Sequence, residues 1–220
     1  MKIYSREEIL SAVEREKIVV IVRGVKREDL IPLAEAMYAG GVRLIEITYD
    51  ASGKTPHTET AESIRMLAEH FEGRMYVGAG TVLSEECVSL THAAGGAFII
   101  SPDVNADVIR ATREQGMVSM PGALTPTECM TAHRAGADFV KLFPIDNLGV
   151  GYLKAVCAPL SHLKFLAVGG VTLENIPTYK KAGAVGFGIG SAIVNKDMIA
   201  RGDWAAVAEM ARRYVEAAKA

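Results

Sequence analysis

The sequence predicts an α/β chain in which eight parallel strands close into one barrel, wrapped by helices, with one extra helix at the N-terminus. Three observations predict it. Short apolar runs alternate with longer amphipathic stretches, the pattern of a parallel sheet covered by helices. The apolar runs number eight, and a chain of 220 residues is an ordinary length for one closed barrel. No low-complexity linker or shift of composition divides the chain, so residues 1–220 are expected to form a single (β/α)8, or TIM, barrel domain.

The elements follow in order. Residues 5–15 read as the extra helix, opened by Ser5 with Glu8 three positions on, a capping-box pair. The apolar runs at 18–23, 44–48, 75–80, 98–102, 118–121, 139–144, 164–169 and 185–190 are aliphatic and too short for helices, so they read as buried strands. Helical periodicity fills the stretches 27–39, 60–71, 85–93, 106–115, 126–134 and 173–181. The stretch 148–157 is a weaker helix because Gly149 and Gly151 stand at its start, and 204–218 closes the chain as a helix. Ala39-Gly40-Gly41, Ala94-Gly95-Gly96, Ala135-Gly136 and Ala182-Gly183 repeat one device, a glycine that stops a helix before the next strand.

Half of the residues are hydrophobic, enough for a sizeable core. The net charge of -2, from 24 basic and 26 acidic residues with no block of one sign, gives no footprint for nucleic acid and no polybasic patch for a membrane. Cys87, Cys129 and Cys157 are odd in number and far apart, matching neither a disulfide framework nor metal-ligand spacing. They read as reduced thiols of a cytoplasmic protein, and the opening MKIYSREEIL is too polar for a signal peptide. The five histidines fall mostly on predicted helices or loops, and none pairs at metal-ligand spacing, so no bound metal is expected.

Chemistry in such barrels sits at the C-terminal ends of the strands, so the informative residues are those that break the apolar pattern there. Period-two alternation puts Leu44, Glu46 and Thr48 on one face and Ile45 and Ile47 on the other. With the isoleucines toward the helices, the Glu46 carboxylate points into the barrel, where it needs a partner or a purpose. Lys141 shares a face with Phe139 and Phe143, an enclosure that strips water from its amine and lowers its pKa. A neutral amine so placed attacks a ketone to form a Schiff base. Arg23, ending the first run, suits a carboxylate or phosphate, or else a rim salt bridge. Thr81 follows Gly78-Ala79-Gly80 and offers a hydroxyl beside backbone that a ligand can approach, though a simple tight turn reads the same way. The ends of the last two strands are glycine-rich, and Gly169, Gly170, Gly190 and Ser191 are placed to let a phosphate approach backbone N–H groups.

The segments IVRG (21–24), GGVRLIEIT (40–48), VGAGTVL (77–83), FIISP (98–102), MPGALTPTE (120–128), KLFP (141–144), VGGV (168–171) and GIGSAIV (188–194) together resemble the 2-keto-3-deoxy-6-phosphogluconate aldolases, a family that includes 4-hydroxy-2-oxoglutarate aldolases and the galactonate-series enzymes. Any one segment is weak; the set, in order over nearly the whole chain, is specific. The resemblance implies a metal-independent class I aldolase with no cofactor, cleaving a 2-keto acid to pyruvate and an aldehyde such as glyceraldehyde 3-phosphate. It implies Lys141 as the Schiff-base lysine and Glu46 as the proton shuttle. It also implies that Thr81, Pro102 and Phe143 line the keto-acid pocket, that Gly169, Gly170, Gly190 and Ser191 grip phosphate, and that the chain forms a homotrimer.

Departures from the pattern bear on substrate. Many members carry an arginine four residues after the glutamate, where this chain has Asp50; others carry one at the end of strand one, as Arg23 does here. The carboxylate contact is therefore assigned to Arg23. The segment Ala167-Val168-Gly169-Gly170 follows the galactonate-type members, and the loop 49–60, with Lys54, is several residues longer than usual. Two other readings remain open at this stage. A barrel that isomerises or condenses phosphorylated metabolites would use Lys141 only as a charge. A catalytically silent sugar-acid binder would hold Lys141 and Glu46 in a structural ion pair.

Overall fold

The structure, a computed structural model, describes residues 2–220. Its strands are β1 (Ile18–Val22), β2 (Leu44–Thr48), β3 (Tyr76–Gly80), β4 (Phe98–Ile100), β5 (Val118–Met120), β6 (Gly122–Ala123), β7 (Val140–Leu142), β8 (Phe165–Val168) and β9 (Ala184–Ile189). They pair in parallel in the order β5-β4-β3-β2-β1-β9-β8-β7-β6. The two segments at the ends of that order are consecutive in the chain and separated only by Pro121. Proline has no N–H to give a ladder, so it splits the fifth strand into two pieces. One piece pairs with β4 and the other with β7. The ring closes through this strand, and the architecture is the expected (β/α)8 barrel.

Ten helices are present among the described residues: α1 (Arg6–Glu16), α2 (Arg27–Ala39), α3 (His57–His70), α4 (Glu85–Ala93), α5 (Ala106–Glu114), α6 (Pro126–Ala135), α7 (Gly149–Cys157), α8 (Ile176–Ala182), α9 (Lys196–Ala200) and α10 (Trp204–Lys219). Helix α1 is the extra N-terminal helix. Its Ile9 and Val13 join the residues that fill the barrel, so it stoppers the end remote from the chemistry. The expected reciprocal pair at its start is half made: Ser5 Oγ accepts from Glu8 N–H at 3.2 Å, while the Glu8 carboxylate turns to Lys2. A complete capping box occurs instead at Thr125 and Glu128, at the start of α6. The glycine stops hold: Gly136 and Gly183 cap their helices at positive φ, and Gly41 and Gly95 take positive φ one residue past the caps of α2 and α4. Helix α3 begins three residues before its predicted start, and α9 was not expected.

Two apolar layers follow from strand alternation. Val19, Leu44, Phe98, Ile100, Val118, Met120, Phe139, Leu166 and Val168 fill the barrel. Ile18, Val20, Val22, Ile45, Ile47, Val77, Ile99, Val140 and Leu142 pack outward against the helices. The faces predicted for β2 and β7 are therefore the observed ones, and Glu46 and Lys141 point into the barrel.

Candidate active site

Glu46 and Lys141 are deeply buried, 2% and 7% exposed, at the centre of strands four places apart around the ring. Both line one internal cavity of about 10 Å³, room for about one water molecule, walled by Val19, Ile21, Ile100, Leu166, Val168 and Gly188. No ion pair within 4.0 Å joins them among the described residues, and Glu46 Oε2 is buried without a hydrogen-bond partner. The ion pair required of a silent binder is not made. The Lys141 backbone is fixed by its N–H, which donates to the Pro121 carbonyl at 2.9 Å.

The electrostatics follow from burial. Loss of water pushes the Glu46 carboxyl up to about 6, against the pull of the Lys141 and Arg23 charges toward lower values. Loss of water also lowers the Lys141 ammonium; the Glu46 charge opposes that shift and the Arg23 charge adds to it. Phe143 lies under the amine, its ring centroid 4.5 Å from Nζ, a contact that favours the cation when it forms. The site thus holds an acid able to exist in both forms near neutrality and an amine eased toward its neutral form.

Arg23 and Thr81, far apart in sequence, meet at the mouth, where Arg23 Nη2 donates to Thr81 Oγ1 at 3.0 Å. Thr81 takes φ 56°, a left-handed conformation that a β-branched residue adopts only under constraint. Pro102 stands just past β4, with its carbonyl against Gly122. The four residues expected to grip phosphate are divided. Gly190 and Ser191 line a hollow of about 510 Å³ together with Arg23, Asn195, Lys196 and Asp197. Gly169, half-buried, and Gly170, exposed, lie on the adjacent strand end beside the loop after β7: Pro144 and Ile145 neighbour Gly169, and Asp146 takes the space a side chain at 170 would need. Lys196 escaped the sequence reading, although Asn195, whose side chain caps α9 on the Asp197 and Met198 N–H groups, is a residue type that signals such a start.

A hollow of about 650 Å³ lies outboard of the barrel, between β1, β2, α2 and α3. Arg23, Thr48, Asp50, Ser52 and Thr55 are among its walls. Asp50 organises the loop above it. Its carboxylate accepts from Ser52 N–H (2.9 Å), Ser52 hydroxyl (2.7 Å), Lys54 N–H (3.1 Å) and Thr55 N–H (3.0 Å). These bonds, led by the Ser52 hydroxyl, hold its pKa down at about 2. Lys54, singled out in the long loop, contributes that backbone bond and leaves its residue exposed.

The profile of the KDPG and KHG aldolase family matches residues 9–210. The chain is 33% identical over 204 residues to the 2-dehydro-3-deoxy-phosphogluconate aldolase of Pseudomonas aeruginosa, covering 92% of this chain and 90% of that protein. It is 35% identical over 175 residues to the 2-dehydro-3-deoxy-6-phosphogalactonate aldolase of Escherichia coli, covering 79% and 82%. Among solved structures it is similar to a KDPG aldolase of Legionella pneumophila with pyruvate captured as a covalent carbinolamine, with TM-score 0.80, 27% identity and coverage of 92% and 96%.

Proposed function

The chain belongs to the family of KDPG and KHG aldolases, and from that premise we propose which residues carry its Schiff-base cleavage of 2-keto-3-deoxy-6-phospho sugar acids to pyruvate and an aldehyde. The enzyme is a class I aldehyde-lyase, and the 2-keto acid is its small-molecule partner. One observation supports the residue assignment above others: Lys141 and Glu46 face the same one-water cavity inside the barrel without pairing.

In the cleavage direction the neutral Lys141 amine adds to the C2 ketone, and Glu46 gives a proton to the oxygen that leaves as water. The resulting iminium is an electron sink. The Glu46 carboxylate then takes the C4 hydroxyl proton, the C3–C4 bond breaks, and its electron pair flows into the iminium as the aldehyde departs. The enamine takes a proton at C3, and water hydrolyses the new iminium to pyruvate and free Lys141. A carboxyl titrating at about 6 can act in both directions within one cycle.

Arg23 and Thr81 hold the substrate carboxylate, and Pro102 and Phe143 flank the keto-acid carbons. Gly190 and Ser191 receive the terminal phosphate, with Gly169 and Gly170 at its edge. The whole chain acts as one catalytic domain, working in the cytoplasm as a homotrimer. The test is borohydride reduction in the presence of pyruvate followed by peptide mapping. Label on Lys141 is expected; folded protein left unlabelled at Lys141 rejects the assignment.

A further inference from the structure

We propose that Gly80 is a positioning residue, whose missing side chain seats the Glu46 carboxylate against β3 and so keeps it from closing on Lys141 as an ion pair. The proposal rests on Lys141 and Glu46 being the reacting groups.

Register pairs Glu46 with Gly78 and Thr48 with Gly80, so the Glu46 side chain leans one step along the strand to reach Gly80. A Cβ on residue 80 would fall on Glu46 Oε1, would lie 2.6 Å from Glu46 Cδ, and would lie 3.1 Å from Thr48 Cγ2. The carboxylate therefore occupies the space that any side chain at 80 would fill. Its other oxygen, Oε2, is buried without a partner. Free space beside Glu46 is the small cavity that Lys141 also lines. A carboxylate pushed off its seat moves into that cavity and toward the amine. The charged groups that reach Glu46 are Lys141 of β7 and Arg23, just past β1. Arg23 is held at the mouth by Thr81, so Lys141 is the cation at the depth of the cavity.

An ion pair there would work against the chemistry. It would favour the ammonium form of Lys141, which cannot attack a ketone, and fix Glu46 as a carboxylate with no proton to give. Gly80 holds the two groups near enough to exchange protons through substrate or water, and too far apart to neutralise one another.

The test measures how borohydride-trapped pyruvate on Lys141 varies with pH. In Gly80→Ala the midpoint for trapping is expected to rise by about one unit or more, the size of shift an opposite charge at close range produces. In Gly80→Ala combined with Glu46→Gln, that rise is expected to vanish. An unmoved midpoint in folded Gly80→Ala, or the same rise with Gln at 46, overturns the proposal while label on the unsubstituted enzyme upholds the functional reading. Absence of label on the unsubstituted enzyme overturns both. If Gly80→Ala does not fold, Glu46→Asp in the same background retracts the carboxylate by one methylene. Recovery of folded protein then supports the seat, and continued misfolding overturns it.

Discussion

Arg23 Nη2 donates to Thr81 Oγ1 at 3.0 Å, so the ends of β1 and β3 are tied together across the end of β2 that lies between them. No carboxylate pairs with this guanidinium among the described residues, which leaves its charge for a ligand. Replacing Arg23 by Gln removes a charge-assisted contact of about 1.5–3 kcal/mol, so KM is expected to rise about 10–100-fold with a smaller change in kcat. Steady-state kinetics check this, and a kcat loss at unchanged KM would contradict it.

Thr81 is expected to trade stability against activity. Its φ of 56° is costly for a β-branched residue and free for glycine. Thr81→Gly is expected to leave stability in urea unchanged or raise it by about 1 kcal/mol, while catalytic efficiency falls about tenfold or more through loss of the hydroxyl. A destabilised variant would show that the conformation is not strained.

At the proposed nucleophile and its proposed proton carrier the losses are expected to differ in kind. Lys141→Ala is expected to abolish turnover and imine trapping together. Glu46→Gln is expected to lower kcat by about 10²–10⁴-fold, the usual scale for an acid–base group, while pyruvate still labels Lys141. Intact-protein mass after borohydride separates the two outcomes.

Burial of Glu46 makes stability depend on pH. Its folded pKa of about 6 lies above the ordinary 4.5, so the fold prefers the protonated carboxyl. That contribution is full below 4.5 and is lost as pH rises through about 6. The difference corresponds to about 2 kcal/mol at about 1.4 kcal/mol per unit. Denaturant titrations should show this loss for the natural enzyme and its absence in Glu46→Gln. The acid limb of kcat/KM should likewise lie near 6 and disappear in that variant.

Loop order depends on Asp50. Removing its carboxylate in Asp50→Ala frees two backbone N–H groups beyond Ser52, at Lys54 and Thr55. Trypsin is then expected to cut after Lys54 at least about tenfold faster, because a loosened exposed loop meets the protease more often. Because the Asp50 pKa is about 2, the natural loop should resist cutting down to the lowest pH at which trypsin works.

Legibility in the sequence tracked how local each cause is. Alternation fixes faces, so the inward direction of Glu46 and Lys141 could be read from β2 and β7 one residue at a time. Strand five could not be read in full, because its run ends at Pro121 and the segment beyond, Gly122–Ala123, is too short and small to carry a pattern. The early start of α3 has no side-chain cap to announce it; Pro56 alone precedes His57. Asp50 read as an absent arginine, and its bonds to its own loop became visible only once the loop's path was known. Gly80 read as room for a ligand to approach, whereas its vacant side is filled by Glu46 from the neighbouring strand. Each of these misses depends on a neighbour distant in sequence or on backbone geometry that residue type does not encode.

The split at Pro121 divides more than a strand. Segments β1 to β5 form one arc of the ring and β6 to β9 the other, meeting at the β1–β9 ladder and at that single proline. Glu46 belongs to the first arc and Lys141 to the second, so neither half carries both members of the proposed pair. With the pair proposed here, catalysis is a property of the closed ring, and turnover would report that the two halves have come together in register.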